Sequence, residues 1–584
     1  MRFPRASGVL LHPTSLPGPH GSGDLGPDAH HFIDWLHSAG QTLWQMLPLG
    51  GIGPGNSPYM SSSAFAGNLL LIDLAELQQR GWLAPDALAG APAADARRID
   101  FASMVPWRMQ HLAQAAAVFA AKGLPADQQD FHAFCAAQAD WLDDYALFMA
   151  LCDATGWADW CTWPDGLALR EPAALARARL AHASRIDFAT MAPWRMQRLV
   201  AAAGNFAASA SAADRLDFDA FCAAQADWLD DYALFMALCD ANGWADWSSW
   251  PHGLAQRDPA ALARARLLQA TRIAYYRFCQ WCFFRQWAAL RAHAHAKGVK
   301  IVGDVPIFIA YQSAEVWARQ DLFELDADGR PTVVAGVPPD YFSATGQRWG
   351  NPLYRWPAHA AEGYAWWVAR LRRTLALVDI VRIDHFRGFA DYWEIPASAP
   401  TAVQGRWLPG PGMALFNAIA AALGPLPVIA EDLGELSPEV QQLLQASGFP
   451  GMAILQFAFG DGAANPFLPH RHRQHSVVYT GTHDNDTSTG WWAHSASDAQ
   501  RHHARAYLGT DGHDIAWALM RAACASVADT VVHPMQDILV LPSDCRMNLP
   551  GSPSGWWVWR FEWPQVHPWH SHRLADMTAL FGRA

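Results

Sequence analysis

The stretch DIVRIDHFRG, residues 379–388, decides the fold, because an apolar run of strand length ends in a group of charged side chains. Seven further runs are also mostly continuous in apolar residues, as expected for parallel strands covered on both faces. The eight runs begin at Val9, Leu43, Lys300, Asp379, Pro427, Gly451, Ser476 and Thr530. Helical patterns separate the later runs, so we predict an α/β chain that folds as a (β/α)8 barrel with right-handed crossovers.

The interval from Gly50 to Lys300 is far longer than a barrel connection. We therefore predict three parts. The first two barrel strands lie in residues 1–75, an inserted and mainly helical region occupies residues 76–285, and the rest of the barrel lies in residues 286–584.

The inserted region contains a tandem duplication with an offset of 87 residues. Residues 98–180 align without a gap on residues 185–267, and about three quarters of the positions are identical. Apolar residues recur at helical spacing in each copy, so each copy is predicted to be helical. Four tryptophans recur in each copy, and they either pack between helices or form a face that stacks on sugar rings. They are Trp141, Trp157, Trp160 and Trp163, repeated as Trp228, Trp244, Trp247 and Trp250.

The composition excludes several classes of protein. The net charge is −12 and almost all basic residues are arginine, so nucleic acid is not an expected partner. No run of 18 apolar residues predicts a membrane span, and the absence of a signal peptide suggests the cytoplasm. Nine cysteines in 584 residues indicate no disulfide scaffold. Cys279 and Cys282 are interpreted as core residues, because a zinc site would need a second pair at fitting spacing.

Polar side chains end several of the runs, where barrel enzymes carry their catalytic groups. These side chains are Asp304, Arg382, Asp384, Glu431, His483 and Asp484. Several carboxylates facing one pocket suggest glycosidic chemistry, with one as nucleophile and one as acid/base. Arg382 and Asp384 share a strand face, so the positive charge keeps the carboxylate ionised, as a nucleophile requires. An apolar surrounding would raise the pKa of Glu431, as a general acid requires.

A set of motifs extends these observations over nearly the whole chain. They are HPTSLPG from His12, GNSPYMSSSAFAGN from Gly55, WLDDYALFMAL, GDVPIF from Gly303, GVPPDYFSATGQRWGNPLY from Gly336, RIDHFRGF from Arg382, AEDLG from Ala430, GTHDN from Gly481 and RMNLPG from Arg546. In these motifs and their order the sequence resembles the 4-α-glucanotransferases of glycoside hydrolase family 77, the amylomaltases or disproportionating enzymes of the α-amylase clan.

The resemblance implies a role for each matching residue. Asp384 would be the nucleophile, Glu431 the acid/base and Asp484 the carboxylate that stabilises the transition state. The substrate-binding residues would be Tyr59, Asp304, Gln347, Trp349, Asn351, Arg382, His483 and Asn548. Residues 336–354 would form a lid loop. The implied reaction is retaining transfer of α-1,4-glucan segments between maltodextrins, or to glucose, through a covalent glycosyl-enzyme. No metal or organic cofactor is expected.

Other interpretations remain open at this stage. A hydrolase of the same clan would use the same carboxylates with water as acceptor, and a catalytically impaired chain would only bind glucan. The extra copy is interpreted as a tolerated insertion or as a second glucan-binding surface. Gln312, Glu315 and Trp556 depart from the family pattern, which bears at most on subsite details. The sequence predicts no oligomeric state.

Overall fold

A computed structural model describes residues 2–92, 95, 97–118, 212–250, 253–339, 343–434, 437–552 and 554–584. Its main sheet is parallel, and neighbouring strands are consecutive around a barrel, with the last strand paired to the first. The strands of this sheet are β1 (Ala6–Leu10), β2 (Leu43–Gln45), β3 (Lys300–Pro306), β6 (Ile380–Asp384), β9 (Val428–Ala430), β10 (Gly451–Ile454), β11 (Ser476–Tyr479) and β12 (Thr530–Pro534). All eight predicted runs form these strands, which confirms the (β/α)8 fold.

The first strand differs in its bounds from the predicted run. The run was predicted from Val9, whereas β1 begins at Ala6, which pairs with Thr530 of β12. The residues after β1 instead form a 3-10 turn at Pro13–Ser15. Pro13 has no N–H for a ladder, which explains why the strand ends before it.

The barrel closes between β9 and β10 without a regular ladder. The Ala430 N–H donates to the Pro450 carbonyl at 2.9 Å. The Met452 N–H donates to the carboxylate Oδ1 of Asp432 at 2.7 Å, so a side chain takes the place of a backbone acceptor. Burial raises the pKa of Asp432 to about 6. Asp432 therefore belongs to the closure of the barrel, whereas its neighbour Glu431 faces the strand-end pocket.

Helices follow most of the barrel strands and also build the inserted region. They are α1 (Pro27–Ser38), α2 (Leu74–Gln79), α3 (Phe101–Val118), α4 (Ala212–Ala224), α5 (Ala226–Ala241), α6 (Pro259–Leu268), α7 (Ala270–Ala296), α8 (Ala314–Ala318), α9 (Trp356–Ala361), α10 (Ala365–Leu377), α11 (Met413–Leu423), α12 (Pro438–Ser447), α13 (Ser488–Gly490), α14 (Asp498–Leu508), α15 (Ile515–Ala525), α16 (Met535–Ile538) and α17 (Pro568–Leu580). In the described part of the chain, none of them has the length and apolarity that crossing a bilayer requires.

Helix α7 connects the inserted region to the barrel. In its middle, Trp281 and Phe284 contact Phe218 and Phe221 of α4. Further along, the Trp287 indole N–H donates to the carbonyl of Leu377 at the end of α10. The helix runs unbroken across residue 285, where we placed the end of the inserted region. The three-part division of the chain stays a proposal.

A second sheet is antiparallel, and its strands are β4 (Val333–Val337), β5 (Gln347–Pro352), β7 (Asp391–Pro396) and β8 (Arg406–Pro409). Their order in the sheet is β5-β4-β7-β8. Residues 347–352 of the predicted lid loop are therefore an edge strand rather than a loop. Gly336 allows this pairing, because a Cβ there would lie 2.1 Å from the Gln347 carbonyl oxygen. Phe342, which falls within the predicted lid loop 336–354, lies outside the described residues.

Of the duplication, the structure describes residues 98–118 of the first copy and residues 212–250 and 253–267 of the second. In the first copy, the Ile99 N–H donates to the Val558 carbonyl at 2.7 Å. Arg108, fully buried on α3, donates to Asp24 at 3.1 Å and to the Ile72 carbonyl at 2.7 Å. In the second copy, α4 and α5 pack against α7.

The tryptophans of the second copy mainly pack between helices. Trp228, Trp247 and Trp250 are buried, whereas Trp244 is 53% exposed. The ring of Trp228 lies 5.0 Å below the Arg373 guanidinium and 5.9 Å from Phe284. Packing is thus confirmed for three of the four. Their counterparts Trp141, Trp157, Trp160 and Trp163 lie outside the described residues.

Trp228→Ala tests the packing of the second copy. We expect this substitution to lower the free energy of unfolding by about 3–5 kcal/mol, the usual loss for a buried aromatic residue. Trp244→Ala removes the exposed tryptophan of the same copy and is the matched control, with an expected change below about 1 kcal/mol. Denaturant unfolding measures both. Equal losses in the two variants would contradict the packing role of Trp228.

Candidate active site

The centre of the strand-end pocket is a buried guanidinium between two carboxylates. Arg382 of β6 lies opposite Asp304 of β3 in the parallel ladder. Its Nη1 donates to Asp304 Oδ2 at 2.6 Å, and its Nη2 donates to Asp384 Oδ1 at 3.0 Å. The side chains of Arg382 and Asp304 are 3% and 0% exposed, whereas that of Asp384 is 29% exposed. Asp384 is thus held by a positive charge and open to the pocket.

Glu431 follows β9 and is held by two backbone amides. The His385 N–H donates to Oε2 at 2.8 Å, and the Leu433 N–H donates to Oε1 at 2.9 Å. Burial, assisted by the negative charge of Asp384, raises the pKa of Glu431 to about 7. Arg382 and the two amides lower the pKa of Glu431, but they do not offset its burial. The two neighbouring carboxyls therefore have opposite environments.

Asp484 lies in the loop after β11 and is held from the carboxy-terminal part of the chain. The Asn548 amide nitrogen donates to its Oδ1 at 2.6 Å. Arg546 donates to the backbone carbonyl of Asp484 and, at 2.5 Å, to that of Asn548. Sequence reasoning missed Arg546, although it opens the motif RMNLPG. The available signal was its position two residues before Asn548, which places both residues in one short loop.

Tyr59 links the two halves of the pocket. Its hydroxyl donates to Asp304 Oδ2 at 2.7 Å and lies 2.9 Å from His483 Nε2. Its ring stacks on the His483 ring at 5.3 Å between centroids. His483 Nε2 in turn lies 3.4 Å from Asp484 Oδ2. A row of polar contacts therefore connects Asp384 to Asp484 through the interior of the pocket.

The residues of β5 lie beside the loop that follows Asp384. The Trp349 ring meets the His385 ring edge to face at 4.9 Å, and its indole N–H donates to Gln347 Oε1 at 3.2 Å. Asn351 is buried, and its amide nitrogen lies 3.7 Å from the Met60 sulfur, next to Tyr59. All eleven predicted site residues thus lie in this region of contacts at the strand ends.

Gln312 and Glu315, two of the residues that depart from the family pattern, form hydrogen bonds in the structure. The side chain of Gln312 accepts from the Trp247 N–H and donates to the Ala245 carbonyl, which docks the second copy on the barrel. Buried Glu315 accepts from the Ser63 hydroxyl at 2.6 Å and from the Ala64 N–H at 3.0 Å. Neither residue contacts the three carboxylates.

Neither the pocket nor the cysteine pair forms a metal centre among the described residues. Within the described ranges, no three side chains of the His, Cys, Asp and Glu types are arranged to hold a metal ion. Cys279 and Cys282 are buried along α7, and burial raises the pKa of Cys279 to about 12.

The protein has a (β/α)8 barrel with several acidic side chains gathered at its strand ends. These features are typical of barrel enzymes of the glycoside hydrolase type. Comparison with known proteins identifies the family. The model of the family described as 4-alpha-glucanotransferase matches residues 11–207 and 177–565. The two matched stretches share residues 177–207, as expected where part of a pattern occurs twice. The chain belongs to this family, glycoside hydrolase family 77.

Individual relatives agree over the full length. The 4-alpha-glucanotransferase of Thermus thermophilus is 44% identical, and the alignment covers 99% of each chain. That of Synechocystis sp. is 42% identical over 99% of this chain and 98% of its own. The amylomaltase from Streptococcus agalactiae in complex with acarbose superposes with a TM-score of 0.81 at 32% identity, covering 99% of this chain and 100% of its own.

Two arginines test the importance of the buried guanidinium. Arg382→Met should lower the free energy of unfolding by about 3–5 kcal/mol, because Asp304 would stay buried without its partner. Arg406→Met is the matched control, since Arg406 also lies 2.6 Å from a carboxylate but is 71% exposed. That change should be below about 1 kcal/mol. Chemical denaturation compares the two, and similar losses would refute the role of burial.

Proposed function

We propose that this enzyme transfers α-1,4-glucan segments between maltodextrins by a retaining mechanism, with Asp384 as nucleophile, Glu431 as acid/base and Asp484 as the stabiliser of the transition state. The contrast between Asp384 and Glu431 carries the proposal. One carboxylate is paired with a guanidinium, and its neighbour is buried with a raised pKa. These different environments assign the nucleophilic carboxylate and the proton donor to different side chains.

In the first step, Asp384 attacks the anomeric carbon of the donor glucan. Its Oδ1 accepts from Arg382, so Oδ2 is the oxygen that forms the bond. The bond from the anomeric carbon to the leaving oxygen breaks, and the proton of Glu431 moves to that oxygen. The reducing-end fragment departs, and the remaining glucan is β-linked to Asp384.

In the second step, Glu431 acts as the base. It removes the proton from the 4-hydroxyl of a second maltodextrin, or of glucose, and that oxygen attacks the anomeric carbon. The bond to Asp384 breaks, and a new α-1,4 linkage forms. Two inversions give net retention of configuration, and Glu431 ends protonated for the next cycle.

Asp484 and its neighbours would bind the sugar whose bond is broken. Asp484 is held by Asn548 and lies next to His483, so its carboxylate has a fixed direction. An anion placed in this way stabilises the positive charge that develops on the sugar ring. Cytoplasmic location and the use of glucose as an acceptor stay predictions.

Transfer rather than hydrolysis is favoured by the aromatic residue beside the nucleophile loop. Trp349 packs on His385, the residue after Asp384, from the edge of the second sheet. A sugar stacked there would occupy the space that an attacking water needs. The hydrolase and the binding-only protein are the competing candidates, and the next experiment distinguishes them.

Product analysis on maltotriose alone tests the activity. We expect glucose together with a ladder of longer maltodextrins, because each released glucose leaves a maltosyl group for transfer to a second maltotriose. Asp384→Asn is the control and should abolish the ladder while the protein stays folded. Glucose and maltose without longer products would indicate a hydrolase. No turnover by the folded wild-type protein would refute the proposed enzyme for this substrate.

The pH dependence of kcat tests the role of Glu431. Glu431 must be protonated to act as acid, and its pKa is raised to about 7. On maltotriose, kcat should therefore fall as the pH rises through about 7. An α-maltosyl fluoride donor is the control, since fluoride leaves without a proton. Its single-turnover release should lack this fall, and a shared fall would contradict the assignment.

A further inference from the structure

A left-handed residue directly follows the proposed nucleophile. Strand β6 ends at Asp384, and His385 has φ 53° and ψ 50°. A side chain with a Cβ is disfavoured in this region, and glycine or asparagine adopts it most readily. A histidine held there implies that the surrounding contacts require this backbone direction.

The turn at His385 changes the partner of a backbone amide. The β6–β9 ladder ends with the pair Ile383 and Ala430. The Glu431 N–H still donates to the Ile383 carbonyl at 3.0 Å, and the Phe386 N–H donates to the Glu431 carbonyl at 3.1 Å. Between them, the His385 N–H points to the Glu431 side chain and donates to Oε2 at 2.8 Å.

We propose that His385 is a positioning residue, whose left-handed backbone aims its amide at Glu431 and so fixes the acid/base carboxyl beside the nucleophile. This inference rests on the proposed function, since it assumes that Glu431 moves the proton. Leu433 holds Oε1 from the other side at 2.9 Å. The carboxyl plane is thereby set from two directions by backbone groups, whose positions follow from the ends of β6 and β9.

The amide also affects the protonation of Glu431. A hydrogen bond from an amide favours the ionised carboxylate, and this contact lowers the pKa of Glu431 against the effect of burial. The other titratable and charged groups that act on it are Arg382 and Asp384 on β6 and Tyr479 on β11. A change of backbone conformation at residue 385 removes the amide hydrogen bond but none of these groups. The pKa of Glu431 should therefore rise when this hydrogen bond is lost.

The His385 ring has a separate contact, with Trp349, and must be distinguished from the amide. His385→Gly removes the ring and keeps access to the left-handed region. His385→Val also removes the ring, but its branched side chain disfavours this region strongly. Comparing these two variants therefore separates the effect of the backbone conformation from that of the ring. His385→Ala supplies an intermediate case if the valine variant fails to fold.

The experiment measures kcat on maltotriose against pH, together with single-turnover release of fluoride from α-maltosyl fluoride. We expect His385→Val, or else His385→Ala, to have a kcat at least tenfold below that of His385→Gly, with its alkaline fall shifted to higher pH. Fluoride release should be similar in both variants, since that step needs no proton from Glu431.

The outcomes separate this inference from the proposed function. Equal kcat values in the glycine and valine or alanine variants, an unshifted alkaline fall, or an equal defect with the fluoride donor would overturn the role of the amide. Failure of the wild-type protein to release fluoride, or full activity of Asp384→Asn, would instead overturn the proposed function.

Discussion

The pocket depends on one buried positive charge. The Arg382 guanidinium joins β3 to β6 and holds a carboxylate on each side. Asp304 is completely buried, so it needs this partner, and through Tyr59 it also reaches His483. Residues far apart in sequence are thus ordered by a single ion-paired centre. Removing one member of such a centre leaves the others buried without compensation.

The pocket also shows how a barrel mouth can give two like groups different chemistry. Asp384 and Glu431 lie at the ends of neighbouring strands, yet of the two only Asp384 accepts a direct hydrogen bond from Arg382. Glu431 receives amides instead, and these are weaker than a full charge at stabilising its anion. Both environments arise at the carboxyl ends of the parallel strands. There, charged side chains lie beside backbone N–H groups that no longer pair with a neighbouring strand.

The barrel strands and the three carboxylates were predictable because their signals are local. An apolar run followed by a charged group is visible in a few residues, as in residues 379–388. The second sheet was not predicted, since β5 and β8 are short edge strands rich in polar and aromatic residues. Asp432 at the barrel closure, Arg546 behind Asp484 and the backbone turn at His385 were also missed. Asp432 and the turn at His385 depend on partners that only the folded chain brings near, whereas the position of Arg546 two residues before Asn548 was a usable signal.

The described contacts draw on both copies of the duplication, which has a consequence for sequence change. Several residues that make contacts differ from their counterparts in the other copy, and two of them show what this means. Asp258 caps α6 by accepting the Ala261 N–H at 2.8 Å, where the first copy has Glu171. The His111 ring bridges the carbonyls of Trp107 and Ala87, where the second copy has Arg198. Aspartate is a favoured helix cap. A substitution at Asp258 or His111 would therefore remove a described contact, even though the other copy carries a second residue at the matching position.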